Sequence, residues 1–345
     1  MLHEAGTGVA GQGKESRTQG DHEMEEPLIL CATDLSDEGD RAIDLAIAAT
    51  RSLGGRLALV HAVGPEAHAD DAPAAISAAA DTLEDRLSAR RERAERGLEA
   101  ARARVEGSGV AVTARFFEGT TPADAILKAA EELEPALLVL GRRHRDTGFV
   151  GKTVDQISRK GPCPMFVAPP DGEAPQSLAG AHWVVGADFS DHALGAIRAA
   201  RALIAKLGGE VTVVAVVSPS GAEDVPYEEQ TPQTALREQS ILEQEAELSA
   251  LAEREVPGAA ALTVRSIDRP SVTLDRVASE QGADAIIVGT HGRKGVVRFI
   301  LGSTAERLLR ISRRPVLVVR DCPMVGSPFY AAPETEGPGD AGTDD

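Results

Sequence analysis

The chain has 345 residues, room for roughly two domains at about 150 residues each. Its 36 Lys+Arg against 54 Asp+Glu leave a net charge of −18, which repels polyanions, and one Trp, two Tyr and seven Phe offer few faces for stacking bases, so a dedicated nucleic-acid binder is excluded. No apolar run approaches the roughly 20 residues of a membrane span. Three widely spaced cysteines, Cys31, Cys163 and Cys322, fit a reducing compartment, and the N-terminus lacks a signal-peptide pattern, so the expected location is the cytoplasm.

In chain order, residues 1–26 are polar and aperiodic, and read as a disordered tail. From Pro27 a pattern begins that occurs twice. PLILCATDLSDEGDRAIDLAIAATRSLGGRLALVHAVGP matches HWVVGADFSDHALGAIRAARALIAKLGGEVTVVAVVSP, with Asp34 on Asp188, Ser36 on Ser190 and Pro65 on Pro219, a constant offset of 154. The first copy continues through a charged helix at about Ala74 to Val105, whose Glu and Arg residues read as a solvated face. It closes with TTPADAILKAAEELEPALLVLG and GPCPMFVAPP. Two domains are therefore expected, at 27–170 and 182–321, with a short proline-bearing linker at 171–181 and a second disordered tail, acidic, at 322–345.

The second copy predicts the strand HWVVGA, a helix from Asp191 to Leu207 stopped by Gly208-Gly209, and the strand EVTVVAVV. A helix from Tyr227 to Glu253 and the strand ALTVRSI follow. Next come a helix from Ser271 to Gln281, the strand DAIIVG, a helix from Ser303 to Ile311 and the strand PVLVV. Short β-branched runs alternating with helical periodicity mark βαβ units, so the fold class is α/β: two tandem open parallel five-stranded sheets with helices on both faces, Rossmann-like in type.

The stretch that carries chemistry is Val288-Gly-Thr-His-Gly-Arg-Lys-Gly-Val-Val-Arg-Phe-Ile-Leu-Gly-Ser-Thr-Ala-Glu306, which leaves a strand and enters a helix. Gly289 and Gly292 stand where backbone must turn sharply and approach a ligand, while Gly302, Ser303 and Thr304 supply amides at a helix start that favours an anion. Asp188, ending the copy's first strand, faces the same crevice. A plainer reading stands beside this one: Ser303 with Glu306 fits a capping box, and Asp188 with Ser190 fits a loop and N-cap. Arg293, Lys294 and Arg298 read either as phosphate neighbours or as ordinary exposed cations, and His291 as structural.

Gly289-x-x-Gly292, nine residues, then Gly302-Ser303, resembles the nucleotide-binding signature of the universal stress proteins, and the AspPheSer start and closing PVLVV strand resemble the same family. Two copies in one chain look like its tandem form. The resemblance implies a fold of the adenine nucleotide alpha hydrolase type, related to electron-transfer flavoproteins, binding ATP or another adenine nucleotide. Asp188, Val216, Val288 and Gly289 would then meet adenosine, and Gly292, Gly302, Ser303 and Thr304 the phosphates. It also implies a binding protein, not an efficient hydrolase, with no catalytic residue assigned. Any Mg2+ is expected on the phosphates, because no carboxylate, histidine or cysteine cluster has metal-ligand spacing. The final strands, PMFVAP and PVLVV, are expected to pair the two domains as in a homodimer, and tandem chains to dimerise again. A slow ATPase, a nucleotide-free scaffold and a flavin-binding relative stay open.

The first copy departs from the signature. In Gly141-Arg142-Arg143-His144, histidine replaces the second glycine, and only six residues separate it from Gly151. A Cβ and an imidazole sit where close approach was needed, so this copy is expected to keep the fold without the same site. Weak anion binding through Arg142, Arg143, His144 and Lys152 stays open.

Overall fold

A computed structural model describes residues 26–63, 83–142, 151–171, 174–217, 232–290, 301–320 and 329. The first domain runs β1 (Leu28–Thr33), α1 (Asp37–Leu53), β2 (Arg56–Val63), α2 (Leu83–Gly107), β3 (Val112–Glu118), α3 (Pro122–Leu133), β4 (Leu137–Gly141), α4 (Lys152–Lys160) and β5 (Met165–Ala168). The second repeats the order with β6 (His182–Ala187), α5 (Asp191–Leu207), β7 (Glu210–Val217), α6 (Pro232–Glu255), β8 (Ala260–Arg265), α7 (Pro270–Glu280), β9 (Ala285–Gly289), α8 (Ser303–Ile311) and β10 (Val316–Val319). Helices α5 and α8 have the bounds predicted from sequence. Helix α6 ends at Glu255, two residues beyond the prediction, while its predicted start and that of α2 lie outside the described residues.

Local chemistry fixes the helix ends. Ser36 and Ser190 cap α1 and α5, each accepting from the N–H three residues on, Gly39 and Ala193, both at 3.2 Å. Thr121 caps α3 in the same way and is followed by proline, which loses nothing at a first helical position because that N–H has no partner there. Gly54 stops α1 in the left-handed conformation at φ 66°, returning its N–H to the last turn. Gly209, at φ 101°, follows α5 where an added Cβ would lie 2.2 Å from the Ala181 carbonyl oxygen, so only glycine lets β7 start there.

The strand order is β3-β2-β1-β4-β5-β10-β9-β6-β7-β8, one continuous ten-stranded sheet. Every pairing is parallel except the central one, where β10 meets β5 antiparallel with Val316 opposite Val167, Leu317 opposite Phe166 and Val318 opposite Met165. The two five-stranded halves expected from sequence are thus fused through their last strands. Period-two alternation sends Ile29, Cys31, Leu57, Leu59, Phe166, Trp183 and Leu317 to one face, under α1, α2, α5 and α6. Leu30, Val60, Met165, Val167, Val184, Val316 and Val318 go to the other, under α3, α4, α7 and α8. Each cluster takes residues from both domains, and Phe166 and Trp183 stack at a tilt across the junction with centroids 6.2 Å apart. Burial pushes the Cys31 thiol far above its ordinary range, which makes it an inert core group.

The linker is anchored at one apolar side chain. Leu178 is buried and its N–H donates to Ser52 Oγ at 2.9 Å. Phe329, within the stretch read as a disordered tail, is itself buried in the core cluster, where a large aromatic covers apolar surface. The other tail residues lie outside the described residues.

Candidate functional site

Each half has the strand order third-second-first-fourth-fifth, so the path of the chain reverses between β1 and β4 and again between β6 and β9. In an open parallel sheet such a reversal leaves a crevice outside the carboxyl ends of the two strands, since the following connections diverge to opposite faces. In the second domain, Ala187 lies opposite Ala215 and Val185 opposite Ile287. This register brings Asp188, Val216, Val288 and Gly289 to one edge, the edge where the crevice opens. Val288 is buried, while Asp188, Val216 and Gly289 are partly open.

Asp188 is held in place by its own turn. Its Oδ1 accepts from the Ser190 N–H at 3.2 Å and from the Ser190 hydroxyl at 2.5 Å, and the Ser190 oxygen accepts from Ala193. To make that turn Phe189 adopts φ 58°, a left-handed conformation that costs a non-glycine residue of order 1 kcal/mol or more. The first domain repeats the device with Asp34, Leu35 at φ 61° and Ser36. The loop-and-cap reading of Asp188 and Ser190 is therefore correct as geometry in both copies, and it leaves the carboxylate at the crevice mouth.

At the glycine loop the structure adds a packing role to one residue and removes the cap reading of another. An added Cβ on Gly289 would lie 2.5 Å from the His192 carbonyl oxygen, so close packing of β9 on the first turn of α5 requires this glycine. Gly141 stands in the same relation to the Glu38 carbonyl, at 2.6 Å. Ser303, for its part, is not a cap. The N-cap of α8 is Gly302, with φ −61° and ψ 143°, and among the described residues no side-chain cap bond is made. The first helical turn closes instead through the Glu306 N–H on the Gly302 carbonyl, at 2.9 Å. A capping box fails here because it needs its serine at the N-cap, and Ser303 is the first helical residue instead.

The residue that sequence reasoning missed is Thr290. It is buried, its N–H donates to the Val319 carbonyl at 3.1 Å, and its own carbonyl accepts from the Gly302 N–H at 2.6 Å. The residues on either side of the loop are thereby clipped together, which fixes the start of α8 beside the end of β9. Its only sequence signal is its place directly after Gly289. Gly292, with His291, Arg293, Lys294 and Arg298, lies outside the described residues; so do Arg143 and His144 in the first copy. Ser303 is exposed and Thr304 half-buried at the head of α8.

The first domain lacks the clip: among the described residues Gly151 makes no bond to Arg142. Its strand ends differ too, with His61 on the strand equivalent to β7, its Nδ1–H donating to the Thr33 carbonyl at 2.9 Å and its ring edge-on to Phe116. Burial holds this imidazole below its ordinary value, opposed by the Thr33 bond and the Asp34 charge. Arg142, which sequence left open as an anion ligand, spends its guanidinium on carbonyls of the other domain. No group of three or more His, Cys, Asp or Glu among the described residues could hold a metal ion, and no described helix is long and apolar enough to cross a membrane.

The family model described as "Universal stress protein family" matches residues 28–169 and 182–320. A universal stress protein of Mycobacterium tuberculosis is 29% identical over 210 residues, covering 58% of this chain and 66% of the relative, so the match spans just under two thirds of that protein's length. Among solved structures, a universal stress protein from Archaeoglobus fulgidus superposes with a TM-score of 0.57 at 20% identity, covering 85% of this chain and 98% of its own. A putative universal stress protein from Pseudomonas aeruginosa gives 0.53 at 15%, covering 86% and 94%. At these identities both structures bear on the fold alone.

Proposed function

The chain belongs to the universal stress protein family, and from that premise we propose that its second domain binds an adenine nucleotide, ATP in the first instance, as a regulatory ligand in the cytoplasm. The observation that carries the reading is the clip by which Thr290 holds the head of α8 at the mouth of the crevice that Asp188 overlooks. A helix start leaves amide N–H groups without intrahelical partners, and the dipole adds a favourable field for negative oxygen. The amides of Ser303 and Thr304 would hold phosphate there, beside Gly302, whose own N–H is given to Thr290, with Gly292 completing the loop. Asp188, Val216, Val288 and Gly289 would line the adenosine end, the carboxylate accepting from ribose hydroxyls. Any Mg2+ would sit on the phosphate oxygens, since the described protein groups offer no ligand set of their own.

The reading is of a binding protein and not a catalyst, and the first domain acts as its structural partner. The test is to denature the purified protein, identify any released nucleotide by mass spectrometry, and titrate the stripped protein with ATP, AMP and cyclic AMP by calorimetry. Release or uptake of an adenine nucleotide supports the proposal. Silence towards all three would leave a scaffold of the same fold.

A further inference from the structure

Helix α8 has nine residues, so it is a rod about 13 Å long whose two ends move together. Its head is fixed by the Thr290 clip. Its tail is fixed by the other domain: Arg142 donates to the carbonyl oxygens of Arg310 and of Ser312, the latter at 2.7 Å. A guanidinium on the last carbonyls of a helix satisfies acceptors that have no intrahelical donor and meets the negative end of the dipole. Burial pulls this guanidinium below its ordinary value, and the charges of Asp171 and Asp275 offset that cost.

Arg142 occupies the position that Thr290 occupies in the second domain. Each follows the glycine that ends its strand, and each gives its backbone N–H to the final strand of its own domain, Arg142 to Ala168 and Thr290 to Val319, both at 3.1 Å. One position thus has two jobs. In the second domain it clips the head of α8, and in the first it crosses the junction and holds the tail of that same helix. A mirror contact exists: Arg320, after β10, donates to the carbonyls of Gly161 at 2.8 Å and Ser158 at 3.4 Å, at the end of α4. Helix α4, however, belongs to the copy whose glycine loop is lost.

We propose that Arg142 is a positioning residue for phosphate binding in the second domain: the degenerate copy lends its first loop residue to aim the amide end of α8. This rests on the reading that α8 receives phosphate. The test compares wild type, Arg142→Ala, Arg142→Lys and Arg320→Ala in the full chain, titrated with ATP and with adenosine, and followed by hydrogen exchange of α8 amides without ligand. Arg142→Ala is expected to weaken ATP about 3- to 10-fold, the worth of about one net hydrogen bond, to leave adenosine unchanged and to speed α8 exchange. Arg142→Lys should recover part of the loss, and Arg320→Ala, which loosens the same junction, should leave ATP affinity as it is. Unchanged ATP affinity in Arg142→Ala, a parallel loss of adenosine, or an equal loss in Arg320→Ala would overturn the proposal. If wild type binds neither ligand, the nucleotide reading falls and this one with it, an outcome distinct from a wild type that binds ATP and a variant that matches it.

Discussion

Gly302→Asp separates folding from binding at a single position. The residue has φ −61° and ψ 143°, a conformation open to any side chain, and it is the N-cap of α8, where aspartate is among the best residues. The helix therefore keeps its start and gains a few tenths of a kcal/mol. Phosphate, in contrast, would meet a carboxylate at the place it is to occupy. Two unit charges about 5 Å apart repel by about 0.8 kcal/mol at the dielectric of water and about 3 kcal/mol at an effective value near 20, which is roughly a 4- to 200-fold loss of affinity. Calorimetric titration with ATP reads the loss, a thermal melt reads the fold, and repeating the titration near 1 M salt should shrink the deficit because the Debye length falls to about 3 Å. Gly302→Asn, of equal size and uncharged, should bind far closer to wild type. A Gly302→Asp protein that melts no lower than wild type and binds ATP equally well would show that phosphate does not lie at the head of α8.

Other outcomes follow from the same structure. Gly151→Asp, at the N-cap of α4, should change ATP affinity less than twofold in the same titration, because the first copy lacks both the second glycine and the clip. Phe166→Ala removes a fully buried ring shared by both halves and should cost about 3–5 kcal/mol in a denaturant melt, with one transition, not two. His61 binds its proton less readily folded than unfolded, owing first to burial. Its stabilising share is therefore complete above the ordinary value of 6.5 and is lost as pH falls from there through the lower folded value. Melting temperature should drop over that window, and His61→Gln should flatten the drop; an unaltered profile would refute it.

Much of this fold could be read from residues because its signals are local. The runs VLVV and AIIVG carry the strands, Ser190 and Gly208 bound α5, and the offset between Asp34 and Asp188 announces the repeat. The site was legible as far as it too is local: Asp188 at a strand end and Gly302 at a helix start. The packing job of Gly289 was not legible, since glycine serves a ligand and a neighbouring carbonyl through the same missing Cβ, and only coordinates show that the His192 carbonyl is close. The plainer alternative for Ser303, a cap, fails by one position, the difference between a cap and a first helical residue. Arg142 could not be assigned from sequence, because its partners are 168 and 170 residues away and no spacing connects them.

The junction of β5 with β10 is small, two strands of four residues each, all of them buried. As a contact between separate molecules it would need both to meet, and dilution would part them. On one chain the local concentration of either strand around the other is on the order of millimolar however scarce the protein becomes. That freedom extends to the two edges of the seam, which need not match: an alteration on one side is not copied to the other, as it must be when identical subunits pair. A chain built in this way is free to change one half while the other keeps its part in the seam.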